Sequence, residues 1–394
     1  EDGGRLQGLL QRIEVMAEII FWCAVFLVFY TYGGYSLLII ALSRFFHNDV
    51  RKKNITPKVT FLITAYNEEK NIAQKLDNTL SLDYPKEKLE ILVASDGSTD
   101  RTEEIVKSYA GKGVRLLRVE GRVGKTATQN AAIKAATGEI VIFSDATTTY
   151  EKGNIRNIVR NYADPQVGAV SGRYEYYNPT GAAIGTGNIL FWKYENLIKS
   201  SQTRIKTISG CCGCIYSVRK NAYEPLPPDI ISDLCEPLKI LEKGYRIVFE
   251  PDAVAYEETT EKASEEFNMR IRVISRGMRG LLYMKKLFNP FRFPFVSFQL
   301  FSHKVLRWLV PFFMFALFVS NLFLLNGAFY KITMALQAAF YAMAALAWLG
   351  EKANLRLKVF SIPLYFSTVN IASVVSMYKT LKGFKAVTWE TIRK

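Results

Sequence analysis

Histidine is nearly missing from this chain: His47 and His303 are the only two in 394 residues. Imidazole acid–base catalysis and Ser–His nucleophilic mechanisms therefore have almost nothing to work with. Cysteine is sparse too. Cys23 falls in an apolar run, while Cys211, Cys212, Cys214 and Cys235 fall in a water-soluble stretch, which fits a reducing compartment. Residues 211–214 contain a CxxC spacing, but no second Cys pair and no usable His accompany it. That disfavours a structural zinc site. The formal charge is +15, yet no nucleic-acid module and no basic stripe interleaved with aromatics is present. Nucleic acid is not expected as a partner. No internal repeat or low-complexity tract occurs either.

Apolar residues are plentiful, 49% of the chain, and unevenly placed. Residues 19–42 carry no charge, and residues 309–326, 332–350 and 359–378 are three more apolar stretches. About 20 such residues cross the hydrocarbon core of a bilayer. The first run is too long for a signal-peptide h-region, and its basic residues follow it. Residues 56–260 have the mixed charge and turns of a soluble domain. Basic residues gather at its edges: Arg44, Arg51, Lys52 and Lys53 on one side, Arg270 to Lys286 on the other. The positive-inside rule then places this block in the cytosol, with the N-terminus outside and anionic membrane lipids as partners. Residues 281–303, with Pro290 and Pro294 among aromatic and basic residues, read as interfacial helices. Three later spans would leave the C-terminus outside, whereas Lys379, Lys382, Lys385, Arg393 and Lys394 favour the cytosol. Residues 359–378, interrupted by Pro363, are the candidate for a re-entrant segment.

Within the soluble block, strands and helices alternate. Residues 58–65, 89–95, 114–119 and 139–144 read as strands, and residues 68–80, 101–109 and 126–136 as helices. This order predicts a parallel sheet covered by helices. Beyond Tyr150 the pattern loosens. Residues 184–199 and 232–243 read as helices, the second closed by Gly244. Residues 207–218 read as a Gly-interrupted strand or loop, and 245–250 and 253–256 as short strands.

Three aspartates stand out. Asp96 and Asp145 end apolar strands, and Asp233 precedes a helix. Open α/β sheets bind ligands at the carboxyl ends of their strands. Asp96 could accept a hydrogen bond from a uracil N–H, or it could simply belong to a turn. Asp100, with Glu103 at a capping-box spacing, reads as structural. Asp145, with the Thr147 hydroxyl two residues on, supplies hard oxygen ligands for a divalent metal, or forms an Asx-type turn. Asp233 could deprotonate an incoming hydroxyl, or Ser232 or Asp233 could cap the helix with Glu236 at a capping-box distance. Lys125 follows a Gly-containing loop and opens a helix, which suits phosphate. No P-loop frame is present.

Taken together, residues 64–68 (TAYNE), 95–100 (SDGSTD), Gly124-Lys125, Asp145-Ala146-Thr147, Ser232-Asp233 and Gly244-Tyr245-Arg246 resemble the family 2 glycosyltransferases in order and spacing. The resemblance covers about residues 58–280, and the flanking spans resemble the membrane-integrated hyaluronan, cellulose and poly-N-acetylglucosamine synthase branch. It implies an α/β GT-A fold, Rossmann-like with a mixed sheet. It also implies inverting transfer from a nucleotide-sugar, usually a UDP-sugar, with Mg²⁺ or Mn²⁺. By position, Thr64, Tyr66, Glu68, Asp96 and Lys125 would hold the nucleoside. Asp145 with Thr147 would hold the metal, and Asp233 would be the base. Trp192, Gly210 and Cys211 would border the acceptor, and Arg272 and Arg276 would reach the diphosphate. Two departures are visible. Thr147 stands where the family commonly has a second acid. Val273 stands where processive members place a Trp, which argues against long-chain synthesis.

The organisation this implies is an N-terminal segment and span at residues 1–45, a GT-A domain at 55–262 and amphipathic interface helices at 263–303. Two or three spans follow at 304–378, then a basic tail at 379–394. The expected product is a sugar added to a polysaccharide or lipid-linked acceptor at the cytosolic face of a bacterial or archaeal cell membrane. The competing readings are a polyprenyl-phosphate sugar transferase and a catalytically inactive membrane scaffold or export subunit.

Overall fold

The computed structural model describes residues 2–353, 355, 357–385 and 387–388. The chain opens with helix α1 (Asp2–Phe29), which passes through a π-helical turn (Tyr30–Gly34) into α2 (Tyr35–Phe45). The soluble block then runs β1 (Val59–Ala65), α3 (Ile72–Leu80), β2 (Leu89–Ser95), α4 (Thr102–Ser108), β3 (Val114–Arg118), α5 (Lys125–Ala135) and β4 (Ile140–Asp145). Every residue of β1 is buried. Its unbroken run of β-branched and apolar side chains is what a strand covered on both faces requires. Phe61 and Ile63 point into one core, with Ile91 and Ile142; Leu62 points into the other, with Leu92, Val141 and Phe143.

The second half of the sheet was the part the pattern left loose. β5 (Thr149–Tyr150), α6 (Asn154–Val159), β6 (Val167–Tyr177), α7 (Ala183–Ile205), β7 (Ile215–Arg219), α8 (Ser232–Glu242) and β8 (Arg246–Glu258) complete one eight-stranded sheet, ordered β3-β2-β1-β4-β7-β6-β8-β5. β1 to β4 are mutually parallel, β7 runs antiparallel to β4 and β6, and β6 is parallel to β8. The sheet is therefore mixed, a GT-A-type Rossmann-like architecture, and not the wholly parallel sheet that alternation alone predicts. The two short strands read at 245–256 are one strand. Its register against β6 jumps from Glu250 to Val254, because Pro251 cannot donate to the ladder. Residues 207–214 form no strand, and only Ile215–Arg219 joins the sheet.

Beyond the sheet lie α9 (Ala263–Tyr283), α10 (Pro294–Leu300), α11 (Leu306–Leu322), α12 (Ala328–Lys352) and α13 (Ser361–Leu381). Four helical stretches are long and apolar enough to cross a membrane: Arg5–Phe45, Pro294–Leu322, Ala328–Lys352 and Lys358–Leu381. The second joins α10 to α11 through a π-helical turn, Phe301–Val305, so the expected division at residue 303 falls inside it. Pro363 lies in the first turn of α13, where a missing N–H costs little, and the helix continues unbroken past it. α13 packs on α9 through Ala372 against Ile271, Ile274 and Met278. Among the basic residues of α9, Arg270 is tied to Glu266 and the Tyr365 hydroxyl, and Arg279 to Asp229. Both side chains serve contacts within the chain. Of the C-terminal basic residues, Arg393 and Lys394 lie outside the described residues.

Two expected capping boxes are built differently. Asp100 accepts from Thr102 N at 3.0 Å, but Glu103 bonds Ser95 Oγ at 2.7 Å and Arg118. Neither Ser232 nor Asp233 caps α8, and Glu236 turns inward, fully buried. Its carboxylate receives Glu224 N at 3.2 Å on one oxygen, and the other has no partner. Burial raises its pKa from 4.5 to about 8. Between those values the unfolded chain ionises while the folded chain keeps its proton, so this group makes stability fall as pH rises through that window. Glu236→Gln is expected to remove the slope, so that the variant gains stability relative to the wild type towards pH 8; thermal unfolding across the window checks it.

Candidate active site

The parallel strands β1, β2 and β4 end side by side, and β4 borders the antiparallel β7. At this change of direction the loops part and leave a crevice. Asp96, just past β2, is fully buried at its floor. Its carboxylate accepts from Val123 N at 2.9 Å, Gly124 N at 3.0 Å and Thr128 Oγ at 3.0 Å. A carboxylate has about four acceptor positions, so these donors leave room for one more. The bonds pull residues 121–124 over the strand tips and place an anion at the N-terminus of α5. Gly124 adopts φ +92°, and the passing backbone of Val387 leaves no room for a Cβ there. Across the crevice, Asn67 accepts from Thr99 N at 2.8 Å, locking the loop after β1 to the turn after β2. The Arg122 guanidinium lies 4.2 Å from the Tyr66 ring.

Next to this loop a cavity of about 420 Å³ opens. Thr64, Glu68, Lys125, Asp145 and Thr147 line one end, and Gly210, Cys211 and Asp233 line the middle. Trp192, Arg272 and Arg276 line the rest. Of the residues singled out from sequence, Tyr66 and Asp96 are the two outside it, both in the adjoining groove.

Lys125 opens α5 and forms an ion pair with Asp145 at the tip of β4. Burial alone would lower its pKa, but the charge and hydrogen bond of Asp145, together with the Asp233 charge, outweigh this and raise it. Thr147 donates to Glu257, which also receives the Tyr174 hydroxyl. Glu257 was not foreseen. It comes from the far end of β8, and it brings a second acid beside Asp145 although Thr147 is not one. Burial, aided by the Asp145 charge, raises its pKa from 4.5 to about 8. No group of three or more His, Cys, Asp or Glu side chains among the described residues is arranged to hold a metal alone. A divalent ion of the magnesium type needs only one or two carboxylates when a substrate diphosphate supplies further oxygens. Asp145, Glu257 and the Thr147 hydroxyl fit that requirement, with Lys125 already marking the position as one for positive charge.

Asp233 sits in the first turn of α8, half-buried and facing the cavity. Its side chain has no hydrogen-bond partner among the described residues, so its oxygens are open to a ligand. Burial raises its pKa, while Lys125 and Arg276 oppose the shift and Asp145 adds to it. Gly213 approaches so closely that a Cβ there would lie 2.6 Å from Asp233 Oδ2. Arg276 donates to Thr126 Oγ at 2.9 Å and Ile230 O at 2.8 Å, bracing α9 against α5.

The cavity's far end is aromatic. Trp192 on α7 meets Tyr174 edge-on, ring centroids 4.7 Å apart. Trp308 of α11 also lines the wall, packed over Gly277. Trp308 stands just before the apolar stretch read at 309–326, and Lys304 and Arg307 fall in the same gap after the segment read at 281–303, so none of them drew notice. Lys199 reads as the last residue of a helix in the soluble block, and His303 as the end of the interfacial segment.

Residues 60–226 match the profile described as "Glycosyl transferase family 2". The chain is 29% identical over 230 residues to the poly-beta-1,6-N-acetyl-D-glucosamine synthase of Staphylococcus aureus, covering 57% of this chain and 55% of that protein. It therefore spans about half the length of that curated relative. It is 27% identical over 288 residues to a probable glycosyltransferase, YdaM, of Bacillus subtilis, covering 68% and 67%. Its fold is similar to that of a mannosyltransferase from Pyrobaculum calidifontis solved with GDP-Man and Mn²⁺, with a TM-score of 0.70, 21% identity, and coverage of 92% of this chain and 99% of that one. Residues 60–226 thus match a glycosyl transferase family 2 domain, within a block of GT-A-type fold joined to helices long and apolar enough to cross a membrane.

Proposed function

We propose that the protein is an inverting glycosyltransferase. It moves a sugar from a nucleotide-sugar, a UDP-sugar in this reading, to a hydroxyl of a polysaccharide or lipid-linked acceptor at the cytosolic membrane face. The observation that carries the reading is the open carboxylate of Asp233, in one cavity with the Lys125–Asp145 pair. In this reaction the acceptor oxygen attacks the anomeric carbon from the face opposite the diphosphate. The bond from that carbon to the phosphate oxygen breaks, and configuration inverts. Asp233 takes the proton from the attacking hydroxyl, and its raised pKa makes it a better base than an exposed carboxylate.

The nucleoside lies in the groove between residues 64–68 and the Asp96 turn. Asp96 has one acceptor position left for a base N–H, and Tyr66 offers a ring face. The amides at the start of α5 and the Lys125 ammonium receive the diphosphate. Asp145, with Glu257 and Thr147, would hold Mg²⁺ or Mn²⁺. When bound, such an ion supplies charge neutralisation for the leaving diphosphate. Trp192 and Tyr176 form a wall on which an acceptor sugar can stack, bordered by Gly210 and Cys211. Arg272 also lines the cavity. The family match, the relatives and the candidate spans support the class of reaction and its membrane setting.

Asp233→Asn is expected to lower kcat by about 10²–10⁴-fold with little change in the donor KM. Nucleotide release and product formation by the purified full chain would measure it. A near-silent substitution sinks the base role and favours an acceptor that is already anionic at the attacking oxygen. Asp145→Asn is expected to raise the Mn²⁺ or Mg²⁺ concentration for half-maximal activity by about 10–100-fold. A metal titration of turnover tests this, and an unchanged midpoint removes Asp145 from the metal site.

A further inference from the structure

The end of the cavity away from Lys125 carries more positive charge than its own carboxylates balance. Glu195 on α7 is buried, and Arg307 donates to it at 2.8 Å. His303 Nε2 lies 3.3 Å from its other oxygen. That single negative charge is spent on Arg307. Lys199, one turn further along α7, is 8% exposed, and Lys304 neighbours His303; both line the cavity. Among the described residues neither lysine donates a hydrogen bond or forms an ion pair. Lys199 lies 5.2 Å from the Trp192 ring centroid, and Trp192 Nε1 is itself buried without a partner. The other carboxylate nearby is Asp233, which already shares the field of Lys125 and Arg276.

A buried ammonium with no counter-ion is unfavourable unless a ligand supplies the missing charge. Lys199 is such a group, the half-buried Lys304 is a second ammonium without a partner among the described residues, and an unmatched indole N–H lines the cavity with them. We propose that this recess binds an anionic group of the acceptor, a phosphate or a carboxylate, held by Lys199 and Lys304 with Arg307 behind them. The proposal rests on the assignment of this end of the cavity to the acceptor. It narrows the acceptor class: the molecule presents a hydroxyl to Asp233 and an oxyanion to the lysines. The oxyanion belongs either to the phosphate that links a glycan to a lipid or to an acidic sugar. The recess is lined by α7 and by the apolar stretch that contains α11, which suits an amphiphile.

Binding can be read without turnover. The full chain in phosphatidylcholine nanodiscs is titrated with three amphiphiles of equal chain length: an alkyl glycosyl phosphate, an alkyl glucuronide and a neutral alkyl glucoside. Tryptophan fluorescence reports occupancy beside Trp192 and Trp308. At least one anionic probe is expected to bind about tenfold more tightly than the neutral one, a difference of about 1.4 kcal/mol. The preference should vanish in the Lys199→Met, Lys304→Met double variant and persist in the corresponding Arg variant. Preference for the phosphate assigns a lipid phosphate, and preference for the glucuronide an acidic sugar. Equal binding of all three probes, or a preference that survives the double Met substitution, overturns the proposal. An anion preference without nucleotide release from any nucleotide-sugar would leave the recess standing and remove the transferase reading instead.

Discussion

The site hangs on one buried anion. Asp96 has no exposure, and it survives in the core because the amides of Val123 and Gly124 and the Thr128 hydroxyl surround it. Those bonds fix where α5 begins. That start fixes Lys125, and Lys125 in turn neutralises Asp145 at the end of β4. Without Asp96, three donors would face an apolar floor, and each lost bond of this kind costs about 1–3 kcal/mol. The loop would then be free to lift, carrying Lys125 away from Asp145. One strand-end carboxylate thus sets where a helix-start ammonium meets a second strand-end carboxylate.

Much of this was legible because it is local. β1, β2 and β4 are short, mostly apolar runs closed by polar turns, and a strand tip names its own last residue. Asp96, Asp145 and Lys125 could be found from neighbours alone. Glu257 could not. It reaches Thr147 only through the pairing of β8 with β6 and β5, and the Pro251 irregularity disguises that strand as two fragments. A second acid was sought two residues after Asp145, whereas the fold supplies it from more than a hundred residues downstream. Asp233 shows the reverse. Its sequence context argued equally for a cap, and the structure shows that its carboxylate makes no cap and faces the cavity instead.

The apolar stretches hid another part of the site. Counting hydrophobic residues finds candidate spans, but it treats a Trp, a Lys or an Arg at their edges as trimming. Here Trp308 and Lys304 face the cavity, and Arg307 pairs with a carboxylate of the soluble block. α9 and α13 seal the same side through Ile271, Ile274 and Ala372. The soluble domain and the apolar helices are therefore not separable modules joined by a linker; the cavity wall is made from both.

The Glu195–Arg307 pair has a consequence for how the chain is made. A helix bearing Lys304 and Arg307 is a poor membrane segment by itself, since each such charge at mid-bilayer costs about 2.5–3.5 kcal/mol on insertion scales. Glu195 is synthesised more than a hundred residues earlier, on α7. Its carboxylate is then in place to receive Arg307 when that helix arrives. Biogenesis acquires an order: the soluble domain first, and the charged helix settled against it second.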